Sequence, residues 1–184
     1  MPVVSALILA GGKATRLGGI AKHAIVVGGE MIITRQLRVL GPLVDEVIVS
    51  GAEIAGYRVV RDEIADAGPL AGIAAGLAAA KTPWLLVVAG DMPYITGELI
   101  SAMLARVAPD LDAVGVRTRD RPEPLLCVLH TRTRDVIERR LAARHLKASG
   151  LLTDEGLRVA WLDDPDPRAL VNLNTPDDLR EPHD

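Results

Sequence analysis

The chemistry-bearing residues gather first in "LILAGGKATRLGGIAKHAIVV", where a glycine-rich turn follows an apolar run and Lys13, Arg16 and Lys22 lie close together. Two familiar phosphate-binding patterns fail on spacing. A P-loop needs a glycine upstream of Gly-Lys-Ser/Thr, but Ala14 follows Gly12-Lys13 and Leu7 holds the upstream position. A dinucleotide fingerprint needs glycines at relative positions 1, 3 and 6, whereas these fall at 11, 12, 18 and 19. What survives is the physics common to both patterns: glycines let the backbone approach a ligand, and free N–H groups with basic side chains face it. The expected ligand is an anion, with Arg16 and Lys22 over its phosphates. Farther along, Asp91 in "GDMPYI" and Asp62 in "YRVVRD" each end an apolar run. A carboxylate facing a phosphate cradle repels the ligand unless a divalent cation lies between them, and Mg²⁺ takes one or two carboxylates together with substrate phosphates. Asp91 is the candidate metal ligand. Asp62 has the acceptors that a ribose or base amine needs, although a turn acid explains it equally well. His23 reads as a structural imidazole.

These residues need elements to hold them at one place. Apolar, β-branched runs at 3–10, 45–50, 57–60, 84–90, 112–118, 125–130 and 157–163 read as strands, several without the polar alternation of a half-exposed sheet. Helical spacing joins Ile33, Leu37, Leu40 and Val44, then Leu70, Ile73 and Leu77, then Ile100, Met103, Leu104 and Val107 behind a Thr96 cap. A further helix is expected from Thr131 to Ser149. "HAIVVGGEMII" reads as an inserted hairpin turning at Gly28-Gly29. Near the end, Asn172 and Asn174 are expected on a strand, with Thr175 as a cap and Pro176 at the first helical position. The alternation implies an α/β domain, three-layer and doubly wound on a mainly parallel sheet, spanning 1–184 as one unit. In a 3-2-1-4 strand order the loops after the first and fourth strands share a crevice, which sets the glycine loop beside Asp91.

Composition narrows the ligand classes. Phe is absent and aromatics are 2%, which removes the stacking platforms of nucleic-acid surfaces. A net charge of −3 and a pI near 5.8 give no basic footprint for DNA or RNA. Cys127 is the sole cysteine, so no intrachain disulfide or cysteine metal site is available. The run from Pro2 to Ala10 is too short for a membrane span and lacks the basic start of a secretory signal, so a cytoplasmic setting is expected. The acidic "DDPDP" at 163–167 reads as a solvated loop. The arginines of "VRTRDRPEP" read as a solvated loop, with a site for an anionic second substrate as the alternative. In "DAGPLAGIAAGL", Gly72 and Gly76 serve either close helix–sheet packing or a planar ligand group.

Taken in order, "LILAGGKATRLGG" with Lys22, "RDEIADAGPLAGI", "GDMPYI" and "VNLNTPDDL" resemble the molybdenum cofactor guanylyltransferase (MobA) family, from residue 6 to residue 179. The resemblance implies that GTP binds with Mg²⁺, that the phosphate of molybdenum-bound molybdopterin attacks the α-phosphorus, and that pyrophosphate leaves. It assigns nucleotide contacts to Leu9, Ala10, Gly11, Lys22 and Asp62, and the magnesium to Asp91; Gly12 is added to the expected nucleotide contacts, as is Asp91, and Arg16, Lys22 and Asp91 are the expected catalytic residues. Ser50 stands where many relatives carry Asn in a nucleotide-contacting position. Transient molybdoenzyme or chaperone partners are compatible with this family. The same motifs also resemble cytidylyltransferases of this cofactor and cobinamide-phosphate guanylyltransferases, and a GTP-binding protein without turnover is a further alternative.

Overall fold

The computed structural model describes residues 2–11, 13–14, 20–61, 67–153 and 155–173, of which 13, 14 and 20–22 are described by backbone. In chain order the strands are β1 (Val4–Leu9), β2 (Lys13–Ala14), β3 (Ile20–Ala21), β4 (Val26–Val27), β5 (Glu30–Met31), β6 (Glu46–Ser50), β7 (Arg58–Val60), β8 (Trp84–Ala89), β9 (Ala113–Thr118), β10 (Arg121–His130) and β11 (Val159–Asp163). The helices are α1 (Ile32–Leu40), α2 (Pro69–Ala79), α3 (Gly97–Leu104) and α4 (Arg134–Ala142).

Seven strands form one sheet in the order β11-β9-β10-β8-β1-β6-β7, parallel except for β10. β1 lies inside the sheet between β6 and β8, so the chain steps to one side after β1 and later returns to the other. This is the expected 3-2-1-4 order, and it creates the switch point.

Burial on both faces explains the missing polar alternation. Val4, Ala6 and Ile8 of β1 pack with Ile33 and Leu40 of α1 and with Ile100 and Met103 of α3. Leu7 faces the other way, into a cluster with Leu70 and Ile73 of α2 and Ile137 and Leu141 of α4. The layers are therefore α1 and α3, the sheet, and α2 and α4. Close packing of α2 needs its glycines. A Cβ at Gly76 would stand 2.6 Å from the buried Leu7 side chain, and one at Gly72 would stand 2.9 Å from both Leu9 and Ser50. Local signals set the boundaries. Thr96 Oγ1 accepts the Leu99 N–H at 3.2 Å to cap α3, and Pro69 opens α2 after Gly68, whose φ of +64° suits glycine.

The hairpin at Gly28-Gly29 forms, with β4 antiparallel to β5 and both glycines at positive φ. Three expectations change. The helix expected over 131–149 is a 3₁₀ turn at Thr131–Thr133, then α4, which ends where Arg144 takes φ +59°, then a second 3₁₀ turn at Ala148–Gly150. The strand expected at 125–130 begins earlier, at Arg121, across an irregularity between Pro122 and Cys127. Asn172 lies outside any strand. The Val171 N–H closes a turn onto the Arg168 carbonyl, and the Leu173 N–H makes one bond to Asp91 O at 2.9 Å in place of a ladder.

Candidate active site at the β1–β8 switch point

A cavity of about 530 Å³ opens at the carboxyl ends of β1, β6 and β8. Leu9 and Gly11 form one wall, Ser50 and Gly51 a second, and Gly90 and Asp91 a third, with the first turn of α2 at Gly68 and Pro69 closing the space. The positive end of a helix dipole therefore lies at the cavity, where it favours negative charge.

The backbone here is packed too closely for side chains. Ala10 N–H donates to Ser50 O at 2.8 Å, and Gly90 N–H donates to Leu9 O at 3.0 Å, tying the three strand ends together. A Cβ at Gly90 would stand 2.6 Å from Leu9 O, and one at Gly51 would stand 2.4 Å from Gly11 Cα. Gly51 also takes φ +84°. Glycine is thus required twice for the loops to meet.

Of the residues assigned from the sequence, Leu9, Ala10, Gly11, Ser50 and Asp91 come together around this cavity. Gly12, Arg16 and Asp62 lie outside the described residues, as do Asn174, Thr175 and Pro176. Lys22, described by backbone, opens a 3₁₀ turn through Ala24. The next residue fastens that turn to the site: His23 Nδ1–H donates to the Ala10 carbonyl at 2.8 Å, the carbonyl fixing the tautomer. Ala10 therefore has partners for both its N–H and its C=O.

Two further residues escaped the sequence reading. Gln36 of α1 is fully buried, and its Nε2 donates to Ala89 O at 2.8 Å and to Met92 O at 3.0 Å. These bonds bracket Gly90 and Asp91 and fix the turn that carries the carboxylate. Glu123 of β10 is the second. Leu126 of β10 pairs with Val88 of β8 and Leu125 lines the cavity, so Glu123 lies on the stretch of β10 that leads past the cavity. Burial pushes the Glu123 carboxyl above the usual carboxylate range and the Asp91 charge adds to it, while the Leu125 N–H and the Asn172 amide favour the ionised form. The two carboxylates share one negative field, which a hard divalent cation neutralises. Among the described residues, no cluster of three His, Cys, Asp or Glu side chains offers an all-protein metal cage. Cys127, on β10, is buried and burial pushes its thiol up to about 12, so it is neither nucleophile nor ligand.

The family described as MobA-like NTP transferase domain matches residues 6–159. The chain belongs to this family. It is similar to the molybdenum cofactor guanylyltransferase of Pseudomonas putida, 35% identical with 98% of each chain covered, and to that of Pseudomonas paraeruginosa, 38% identical with 100% of this chain and 96% of the other covered. The fold is shared with molybdopterin-guanine dinucleotide biosynthesis protein A from Archaeoglobus fulgidus, at a TM-score of 0.78 and 24% identity over 96% of this chain and 95% of the other. It is also shared with 2-C-methyl-D-erythritol 4-phosphate cytidylyltransferase from Thermus thermophilus, at a TM-score of 0.73 and 21% identity over 98% of this chain and 96% of the other. As a MobA-like NTP transferase, the chain is a nucleotidyltransferase, and its cavity lies where open α/β sheets bind their ligands. Among the described residues, no helix is long and apolar enough to cross a membrane.

Proposed function

We propose that this protein transfers GMP from GTP to the phosphate of molybdenum-bound molybdopterin, giving molybdopterin guanine dinucleotide and pyrophosphate. The observation that carries the reading is the meeting of the glycine loop after β1 with Asp91 after β8 across one cavity. Full-length similarity to two molybdenum cofactor guanylyltransferases supports the choice of GTP and acceptor.

An oxygen of the acceptor phosphate forms a bond to the α-phosphorus as the bond from that phosphorus to the bridging oxygen breaks, and pyrophosphate leaves with the electron pair. No protein nucleophile is needed, so the work is alignment and charge neutralisation. Gly11 and the loop that follows it cradle the triphosphate. Arg16 and Lys22 are assigned the task of offsetting charge on the leaving oxygens. Ser50 and Asp62 are assigned to the nucleoside, and acceptors from loop carbonyls take the guanine N1–H and amino donors. Asp91 would hold Mg²⁺, for which one or two carboxylates with substrate phosphates are a fitting donor set, and the ion would supply charge neutralisation at the phosphates. Gln36 keeps Asp91 in place, and His23 keeps the Lys22 turn in place.

The test mixes the protein with Mg²⁺, molybdenum-bound molybdopterin and each of GTP, CTP and ATP, and measures pyrophosphate. Release with GTP is expected, and release with CTP but not GTP overturns the reading. Asp91→Asn should lower turnover by about a hundredfold or more while leaving the melting temperature near that of the parent; a fully active variant removes Asp91 from the mechanism.

A further inference from the structure

The β9–β10 hairpin borders a second recess, a groove of about 890 Å³ whose lining includes Thr118, Arg119, Arg121, Glu123 and Asp164 together with Pro167 and Leu170. It adjoins the nucleotide cavity, because Glu123 lines the groove and Leu125, two residues along the same strand, lines the cavity.

The charges of this hairpin are not all spent. Arg117 is committed, with Nε paired to Asp163 and the guanidinium 5.1 Å above the Trp161 ring. The side chains of Arg119 and Arg121 have no hydrogen-bond or ion-pair partner among the described residues, and the groove lies beside both. Thr118 Oγ1 is buried without a hydrogen-bond partner among the described residues. The backbone that presents these groups is fixed. Arg119 and Asp120 take φ of +48° and +63°, unfavourable for side-chain-bearing residues, and the Arg119 N–H donates to Asp164 Oδ1 at 2.9 Å. Asp164 itself takes φ +43°.

Position adds a mechanistic reason. In-line displacement brings the attacking oxygen to the α-phosphorus opposite the leaving pyrophosphate. The glycine loop follows β1, whereas β10 lies on the far side of β8 from β1. The groove therefore lies along β10, across β8 from the strand that leads into the glycine loop.

We propose that this groove holds the body of the acceptor, and that Arg119 and Arg121 pair with its negative charge while its phosphate reaches the cavity. The inference rests on the GMP-transfer reading. A planar, heteroatom-rich anion is the matching chemistry: guanidinium groups bond anionic atoms in pairs and stack on flat rings, Thr118 Oγ1 supplies a buried donor or acceptor, and Pro167 and Leu170 offer an apolar face.

The experiment measures GMP transfer against molybdopterin concentration, and GTP-dependent thermal stabilisation, for the parent, Arg119→Ala, Arg121→Ala, the double variant and Arg121→Lys. Each alanine should raise the acceptor KM about tenfold and the double variant about a hundredfold, with GTP stabilisation unchanged. Arg121→Lys should recover part of the loss. If the parent transfers GMP and the double variant keeps the parental acceptor KM, or loses GTP stabilisation to the same degree, the groove is not the acceptor site and the enzymatic reading stands. If the parent transfers nothing to molybdopterin, the enzymatic reading fails and this inference falls with it.

Discussion

Glu123 holds its proton to higher pH than an ordinary glutamate, chiefly through burial and then through the charge of Asp91. The folded chain therefore binds that proton more tightly than the unfolded chain. This contribution to stability is fully present below the ordinary glutamate range, near pH 4, and is lost as pH rises through the elevated value of the folded state. Glu123→Gln should accordingly be more stable than the parent at pH 7, with the gap closing towards pH 4; chemical denaturation across that range measures it, and a gap independent of pH contradicts the assignment. Glu123 was hidden in the sequence because Pro122 and Pro124 flank it and the segment reads as a loop. Its meaning comes from burial and from the Asp91 charge that acts on it. Gln36 was hidden differently, since the apolar spacing of Ile33, Leu37 and Leu40 draws attention away from the one polar side chain that α1 fully buries. Asp91 was legible, because a carboxylate at the end of a fully apolar strand has a position that strand order alone determines. Arg16, Gly12 and Asp62 remain assignments from the sequence.

At the level of elements, the site depends on how closely loops cross. Gly51 and Gly156 both take positive φ, but a Cβ at Gly51 would run into the Gly11 backbone while one at Gly156 would meet nothing within 4 Å. Gly156→Ala should cost about 1 kcal/mol, the ordinary penalty of left-handed backbone. Gly51→Ala should cost about 2 kcal/mol or more and also weaken GTP binding, because relief of the clash moves the loop that begins the phosphate cradle. Denaturant melts with a GTP titration separate the two effects; equal costs and unaltered affinity in both variants would refute the crossing argument. Strands and helices were legible where hydrophobic periodicity is strong, as in β1, β8 and α3. They were less so where the chain bends for tertiary reasons. Arg140 is buried against Glu155 and the Lys147 carbonyl, so the turn after α4 folds back on the helix, and helical spacing in the sequence carries no trace of that pairing.

Across the whole molecule, the two rims of the sheet do different work. The carboxyl ends of the parallel strands carry the cavity, and the opposite rim is laced by acids. Asp45 accepts the Val4 N–H at 2.8 Å, Glu46 accepts the Ser5 hydroxyl at 2.7 Å and the Lys81 N–H at 3.0 Å, and Asp112 accepts the Arg158 N–H at 2.9 Å and Arg132 Nε at 2.7 Å. The Arg158 N–H first, and then Arg132, hold the Asp112 carboxyl below its ordinary range. That contribution is present at neutral pH and is lost as pH falls through the lowered folded value. Asp112→Asn should therefore melt about 2–6 °C lower at pH 7, with the difference shrinking below about pH 4 and GTP affinity untouched; melting curves from pH 7 to pH 3 decide it. The position of β1 inside the sheet has a consequence for how the protein is made. Val4 pairs with Trp84, so the strand synthesised first waits for β8 before its second edge is covered. Pairing over so long a stretch of chain comes late in folding. The same closure that finishes the hydrophobic core also brings Asp91 to the glycine loop. A nascent chain halted before β8 has Gly11 and Gly51 without Asp91 beside them, and the cavity is completed in the same step as the core.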